Sequence, residues 1–128
     1  MLDLGILTLR ITVGLVMIAH ALPKLFWKRK LYNEKWRKEY GFPLGSVLLT
    51  GILQLAGGTA LLLGVYTRLA AIILVINMLV ATYISIRKHG EPFLSTPEGK
   101  GWDVNLLLVG ALVALILIGG GTWSLVGW

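Results

Sequence analysis

Two polar side chains in the first apolar run, Arg10 and His20, are the first candidates for chemistry. An arginine inside a membrane helix costs a few kcal/mol or more unless it is paired or hydrated, so Arg10 should face the protein interior. His20 could exchange a proton or hydrogen-bond to a polar head group, because an unperturbed imidazole titrates near neutrality. His20 could equally be an ordinary hydrogen-bonded interior residue.

Four further polar residues lie in or beside the later apolar runs. We interpret Gln54 and Asn77, expected near mid-membrane, as an interior polar network, because amides hydrogen-bond across helix contacts. Tyr83 and Asp103 fall near the ends of their runs, on the side of the membrane where the first run ends. No acid lies deep in any run, so Arg10 is expected to bond these amides or backbone carbonyls, with Asp3, one heptad earlier on the same helix face, as a weaker candidate.

Several kinds of chemistry are absent from the sequence. The chain has no cysteine, which excludes disulfide relays, thiolate metal sites and iron–sulfur ligation by this chain alone. It has no Walker motif, no HExxH and no Ser/His/Asp set. We therefore predict no metal site and no intrinsic cofactor, and the catalytic residues, if there are any, stay unknown.

The elements that position these side chains are four apolar stretches. Hydrophobic residues make up 56% of the chain and charged residues 14%, against about 25% charge in an ordinary globular domain. Each stretch is near the roughly 20 residues that a helix needs to cross the bilayer. The sequence therefore predicts an all-α integral membrane four-helix bundle, forming a single transmembrane domain over residues 1–128. The predicted spans are about 4–26, 43–66, 69–86 and 104–120.

The segments between the spans predict how the chain meets the bilayer. All five tryptophans lie outside or at the ends of the spans, as an aromatic belt requires. The first loop combines Lys and Arg with regularly spaced aromatic residues, which predicts a short interfacial helix within 28–41. A solvated charged loop is the alternative.

Charge predicts the orientation in a cell membrane. Four spans place both termini on one side, and the first and third loops carry most of the positive charge. The positive-inside bias then predicts that loops 27–42 and 87–103 are cytoplasmic and that the termini are outside. The net charge of +6 is explained by this flanking pattern, so no nucleic-acid partner is expected. The basic residues of the two loops are Lys28, Arg29, Lys30, Lys35, Arg37, Lys38, Arg87, Lys88 and Lys100.

Helical spacing predicts which faces turn inward. On the first helix one stripe is formed by Arg10, Gly14, Met17, Ala21 and Lys24, with His20 at its edge. Small or amide residues mark the predicted inner faces of the other three helices, because small residues let helices approach closely. These are Gly51, Gln54 and Gly58 on the second, Ala70, Asn77 and Ala81 on the third, and Gly110 and Ala114 on the fourth.

Three stretches of the sequence resemble the DoxX family of small membrane proteins. They are LRITVGLVMIAHALPKLF (residues 9–26), GILQLAGGTALLLGVYTRLAA (residues 51–71) and GGGTWSL (residues 119–125). The resemblance implies a four-helix membrane protein related to the membrane subunit of thiosulfate:quinone oxidoreductase. The chain departs from the family pattern at Gln54, often Glu, at Ala21, commonly Gly, and at Val126, usually Asp. A proton-transfer role that relies on those acids is therefore in doubt.

Three functional hypotheses follow. The first is a small subunit of a membrane-bound, quinone-linked redox complex, with Arg10, His20, Tyr83 and Asp103 as candidate quinone contacts. The second is a non-catalytic anchor or assembly subunit, and the third is a small-solute transporter, which would need to oligomerise to enclose a path. The lipid bilayer is the expected partner in each case, together with other membrane or redox subunits or further copies of the chain.

Overall fold

The computed structural model describes residues 2–26, 34, 37–38, 46–87, 90, 92–97, 101–121 and 124–125, without the side chains of residues 23, 24, 46, 47 and 85. These residues form four helices: α1 (Leu2–Leu25), α2 (Ser46–Leu63), α3 (Thr67–Arg87) and α4 (Asp103–Ile118). The predicted all-α four-helix bundle is confirmed. The interfacial helix predicted within 28–41 lies outside the described residues, apart from the isolated positions 34, 37 and 38.

The four helices are arranged in a ring in chain order. α1 packs on α2, α2 on α3 and α3 on α4; the contact between α1 and α2 is the most extensive, and that of α4 with α1 is the smallest of the four. α1 and α3 therefore stand at opposite corners. We call the end of the bundle where α1 and α3 begin and α2 and α4 end the terminal face. The opposite end, where the first and third loops leave the helices, is the loop face.

The outer surface of the bundle is apolar. Leu15 is 55% exposed, Ile76 59%, Leu107 74% and Leu117 76%. Soluble monomers rarely expose contiguous apolar surface on this scale, so these side chains fit a lipid environment. Two helical stretches of the described chain, Leu2–Leu22 and Thr67–Ile84, are long and apolar enough to cross a membrane, and the apolar stretches Leu48–Leu63 and Asp103–Ile118 are shorter.

The tightest helix contact is a pair of glycines between α1 and α2. A Cβ added to Gly14 would lie 2.7 Å from the carbonyl oxygen of Gly58, and a Cβ on Gly58 would lie 2.8 Å from that of Gly14. The two backbones can approach this closely only because both residues lack a side chain. The contact places the predicted inner stripe of α1, including Met17 and Ala21, in the core with no exposed surface.

The fourth helix turns a different face inward from the one that small residues predicted. Gly110 is exposed and Ala114 is half-buried. The buried residues of α4 follow helical spacing along another line: Asn105, Leu108, Leu112 and Leu115. The prediction was wrong because the small residues of α4 lie away from its buried line, which carries the polar Asn105 instead.

Candidate functional site

Arg10 binds backbone carbonyls at the terminal face. Its Nε donates to the carbonyl oxygen of Leu61 at 2.9 Å and its Nη2 to that of Leu62 at 3.2 Å. Both carbonyls belong to the last turn of α2, where a helix has no hydrogen-bond donors of its own to offer. A cation is also favoured at the negative end of the helix dipole. Arg10, only 1% exposed, therefore caps the second helix from the first.

Gly64 completes the end of α2 and leaves room for the guanidinium. Its φ of 73° is left-handed, and the amide of Val65 donates to the carbonyl of Ala60 at 2.9 Å. This is the helix-ending arrangement that glycine favours. A Cβ on Gly64 would lie 2.6 Å from Nη2 of Arg10. The glycine is thus required both by the backbone turn and by the arginine.

The same guanidinium reaches the segment that follows α4. Nη1 of Arg10 donates to the carbonyl oxygen of Gly120 at 3.1 Å. Nη2 of Arg68 lies 3.4 Å from the carbonyl oxygen of Ile118, the last residue of α4. Two arginines therefore bind at the carboxyl ends of the two helices that finish at this face. The arrangement explains how a buried arginine is accommodated without an acid deep in a span.

Two buried polar atoms beneath this segment have no hydrogen-bond partner in the described chain: Oγ1 of Thr67 and Nε of Arg68. A Cβ on Gly120 would lie 2.6 Å from the Thr67 hydroxyl, and one on Gly119 would lie 3.3 Å from the Arg68 Nε. The glycines let the backbone lie directly on these two side chains.

Gln54 and Asn77 join α2 to α3. Nε2 of Gln54 donates to Oδ1 of Asn77 at 3.1 Å. Gln54 is 4% exposed, whereas Asn77 is half-buried. An amide pair in this position stabilises the contact between the helices, because each amide gives the other a hydrogen-bond partner that lipid tails cannot provide.

His20 lies in the loop-face half of α1 and is exposed. Its Nδ1 is 2.8 Å from the carbonyl oxygen of Val16. A carbonyl only accepts, so Nδ1 carries the proton in this contact. In the neutral ring Nε2 is then an acceptor without a proton. The local helix therefore sets the tautomer of His20 and leaves one acceptor available to a ligand.

Tyr83 and Asp103 do not join His20. Tyr83 is 61% exposed and lies on α3, at the corner of the bundle opposite α1. In the part of the chain that the structure describes, no hydrogen bond links any two of these three residues. The loop-face candidates are therefore spread around the bundle rather than gathered in one place.

Asp103 instead holds the loop that precedes α4. Its Oδ1 accepts from Oγ of Ser95 at 2.6 Å and its Oδ2 from the Ser95 amide at 3.1 Å. The Ser95 hydroxyl in turn accepts from the Gly101 amide at 2.9 Å. Asp103 stands on the loop side of the apolar run that starts at Val104. The hydrogen bonds from Ser95 lower the pKa of its carboxyl group, because they stabilise the charged form.

The sequence analysis missed two buried polar residues, Thr67, which is 1% exposed, and Asn105. Asn105 is 5% exposed, and its side chain has no hydrogen-bond partner among the described residues. It stands three positions before Leu108 on the inner line of α4, so helical spacing from the core leucines could have identified it. No group of three or more acidic or histidine side chains that could hold a metal ion occurs among the described residues.

These features define a small membrane bundle with charged caps at one face and separate polar side chains at the other. The family model described as DoxX matches residues 5–86, and the chain belongs to the DoxX family. It is 28% identical to the uncharacterized membrane protein Rv3486 of Mycobacterium tuberculosis, over 94% of this chain and 78% of that protein. No solved structure gives a significant match. The chain is thus a DoxX-type membrane protein.

Proposed function

We propose that this protein is a small subunit of a membrane-bound, quinone-linked redox complex and that it contacts the quinone at the loop face. The observation that carries the proposal is the tautomer of His20. With Nδ1 bound to the Val16 carbonyl, Nε2 is an acceptor on an exposed side chain. It suits the hydroxyl group of a reduced quinone, which donates a hydrogen bond and is the form that gives up protons.

The surroundings of His20 suit the rest of such a ligand. A quinone needs an apolar region for its tail and one or two polar groups for its head. The outer surface of α1 is apolar, with Leu15 55% exposed. A ligand dissolved in the bilayer can therefore reach the imidazole without crossing water.

Arg10 has a different role in this proposal from the one that its residue type suggests. Its guanidinium binds the carbonyls of Leu61, Leu62 and Gly120 at the terminal face. His20 lies ten residues further along α1, about 15 Å away at 1.5 Å per residue. Arg10 thus holds the helices in register, and His20 contacts the ligand.

Electron transfer in such a complex depends on a second protein. With no cysteine in the chain, a thiolate-bound centre cannot be built from it alone. The chain binds and orients the quinone, and a partner subunit supplies the redox centre. We further propose that the basic loops 27–42 and 87–103 face the cytoplasm, where the partner docks.

The test is purification of the full chain from its native membrane in mild detergent. Mass spectrometry identifies the proteins that co-purify, and solvent extraction measures bound quinone. We expect near-stoichiometric quinone and a partner that carries a redox centre. The reduced form should be lost from His20→Ala but retained by Tyr83→Phe, since Tyr83 lies at the opposite corner of the bundle.

A non-catalytic anchor is the second candidate, and one observation favours it. At the loop face, Phe93 is 45% and Leu94 62% exposed, on the loop that Asp103 holds in place. Exposed apolar side chains on an ordered loop are suited to docking a protein. A stable partner that co-purifies without any quinone would favour this function over the first.

A further inference from the structure

The contact line between α1 and α4, here called the α1–α4 seam, changes along its length. Ile6, Val13 and His20 follow one another at intervals of seven residues. Each interval turns the side chain by only about 20° around the helix axis, so all three lie on the same side of α1. Ile6 meets the segment after α4, because a Cβ on Gly121 would lie 3.3 Å from its Cγ2. Ile6 is 5% and Val13 3% exposed, but His20 is exposed. The seam is therefore closed at the terminal face and open near the loop face.

Asn105 lies toward the loop face, where the seam opens. At about 1.5 Å per residue, α1 rises roughly 21 Å from Ile6 to His20. From the terminal face toward the loop face, α4 rises roughly 20 Å between Ile118 and Asn105. Ile6 meets Gly121, three residues beyond the end of α4, so His20 and Asn105 both stand toward the loop face on adjacent helices.

Asn105 is a buried residue whose amide has no hydrogen-bond partner among the described residues. Its side chain is 5% exposed, and it lies on the inner face of α4 with Leu108, Leu112 and Leu115. The amide atoms of Asn105 are not among the fully buried side-chain atoms that lack a partner, so they remain accessible to a ligand. By contrast, the amide of Asn77 is satisfied by Gln54. A ligand entering the open end of the seam would supply the partner that Asn105 lacks.

We propose that Asn105 is a second head-group contact and that, together with His20, it makes the open end of the α1–α4 seam a binding site for a quinone and its reduced form. The inference rests on the proposed function. The two side chains have complementary abilities. The Asn105 amide donates to a quinone carbonyl, whereas the unprotonated Nε2 of His20 accepts only from a quinol hydroxyl. The oxidised form is therefore held mainly by Asn105 and the reduced form by both residues.

The experiment measures binding of a decyl-tailed benzoquinone and its quinol to the full chain in lipid nanodiscs. The variants are Asn105→Leu, the smaller Asn105→Ala, His20→Leu and, as a matched control, Asn77→Leu. We expect both Asn105 variants to weaken binding of the oxidised form about tenfold, the effect of one hydrogen bond near 1.4 kcal/mol. His20→Leu should weaken the quinol several-fold more than the quinone, and Asn77→Leu should leave both affinities unchanged.

The possible failures are distinguishable. Wild-type affinity for the oxidised form in a folded Asn105→Ala protein, with His20→Leu still impaired, would overturn the role of Asn105 but not the quinone contact. A wild-type protein that binds neither form would overturn the proposed function and this inference together. Equal losses from Asn77→Leu and the Asn105 variants would show a general packing effect and would also refute the site.

Discussion

Nη1 of Arg10 donates to the carbonyl oxygen of Gly120 at 3.1 Å, joining residues that are 110 positions apart. The bond connects the first helix to the segment beyond the last one. Because the same guanidinium also binds Leu61 and Leu62 at the end of α2, one side chain links three parts of the ring. The terminal face is thus organised around a single charged group.

Replacing Arg10 should lower the free energy of unfolding more than a typical substitution. Hydrogen bonds to a charged group contribute about 1.5–3 kcal/mol each, and buried carbonyls left without donors add a further cost. We expect Arg10→Gln to destabilise the protein by roughly 3 kcal/mol. The measurement is the loss of helical circular dichroism as the protein, held in detergent micelles, is denatured with SDS. Arg10→Lys should recover only part of this loss, since a single ammonium cannot reproduce the planar fork of donors.

The glycine contact between α1 and α2 predicts a steric effect. A Cβ on Gly58 would lie 2.8 Å from the carbonyl oxygen of Gly14, and backbone atoms cannot move aside cheaply. Gly58→Ala should therefore destabilise the bundle by about 1–3 kcal/mol. Gly110→Ala is the matched control, because nothing lies within 4 Å of its added Cβ. Equal stability of the two variants in the SDS titration would contradict the close contact.

The fold was more predictable from the sequence than the site. Long apolar runs separated by charged loops gave the helix number, and a polar residue among apolar ones gave the inner stripe of α1. On α4 the prediction failed, because it used the small residues Gly110 and Ala114 to mark the inner face. The buried line of α4 carries the polar Asn105, so the polar residue and not the two small ones marked the inner face, as Arg10 did on α1.

The partners of Arg10 show the same limit. Sequence spacing left two amides and backbone carbonyls as alternatives, with Asp3 as a weaker candidate. The choice depends on where α2 ends relative to α1, and the contact spans 51 positions to Leu61. Likewise, the expectation that His20, Tyr83 and Asp103 share the loop face could not reveal that α1 and α3 occupy opposite corners.

Acid should release the loop that Asp103 holds. The Ser95 hydrogen bonds lower the pKa of Asp103 in the folded protein. Their contribution to the stability of the fold is therefore fully present above about pH 4, the ordinary pKa of Asp. The contribution is lost as the pH falls through the lowered pKa. NMR titration of the Asp103 carboxyl carbon should show a midpoint below the ordinary value, and Ser95→Ala should raise it. A wild-type midpoint at the ordinary pKa of Asp would contradict the hydrogen bonds between Ser95 and Asp103.

The absence of cysteine makes the proposed orientation easy to test. A single cysteine at Leu125, which is 71% exposed, should react with a membrane-impermeant maleimide in intact cells. A cysteine at Phe93, 45% exposed, should react only after the cells are permeabilised. The reverse pattern would place the basic loops outside and contradict the positive-inside assignment.

The division of roles between the two ends of α1 is the central claim, and quinol affinity per folded chain tests it most directly. The affinity is measured in nanodiscs for wild type, Arg10→Lys and His20→Leu, with each value normalised to the folded fraction. The account predicts a less stable Arg10→Lys protein whose folded fraction binds quinol like wild type, and a stable His20→Leu protein with severalfold weaker binding. Weakened binding in folded Arg10→Lys together with unchanged binding in His20→Leu would contradict it.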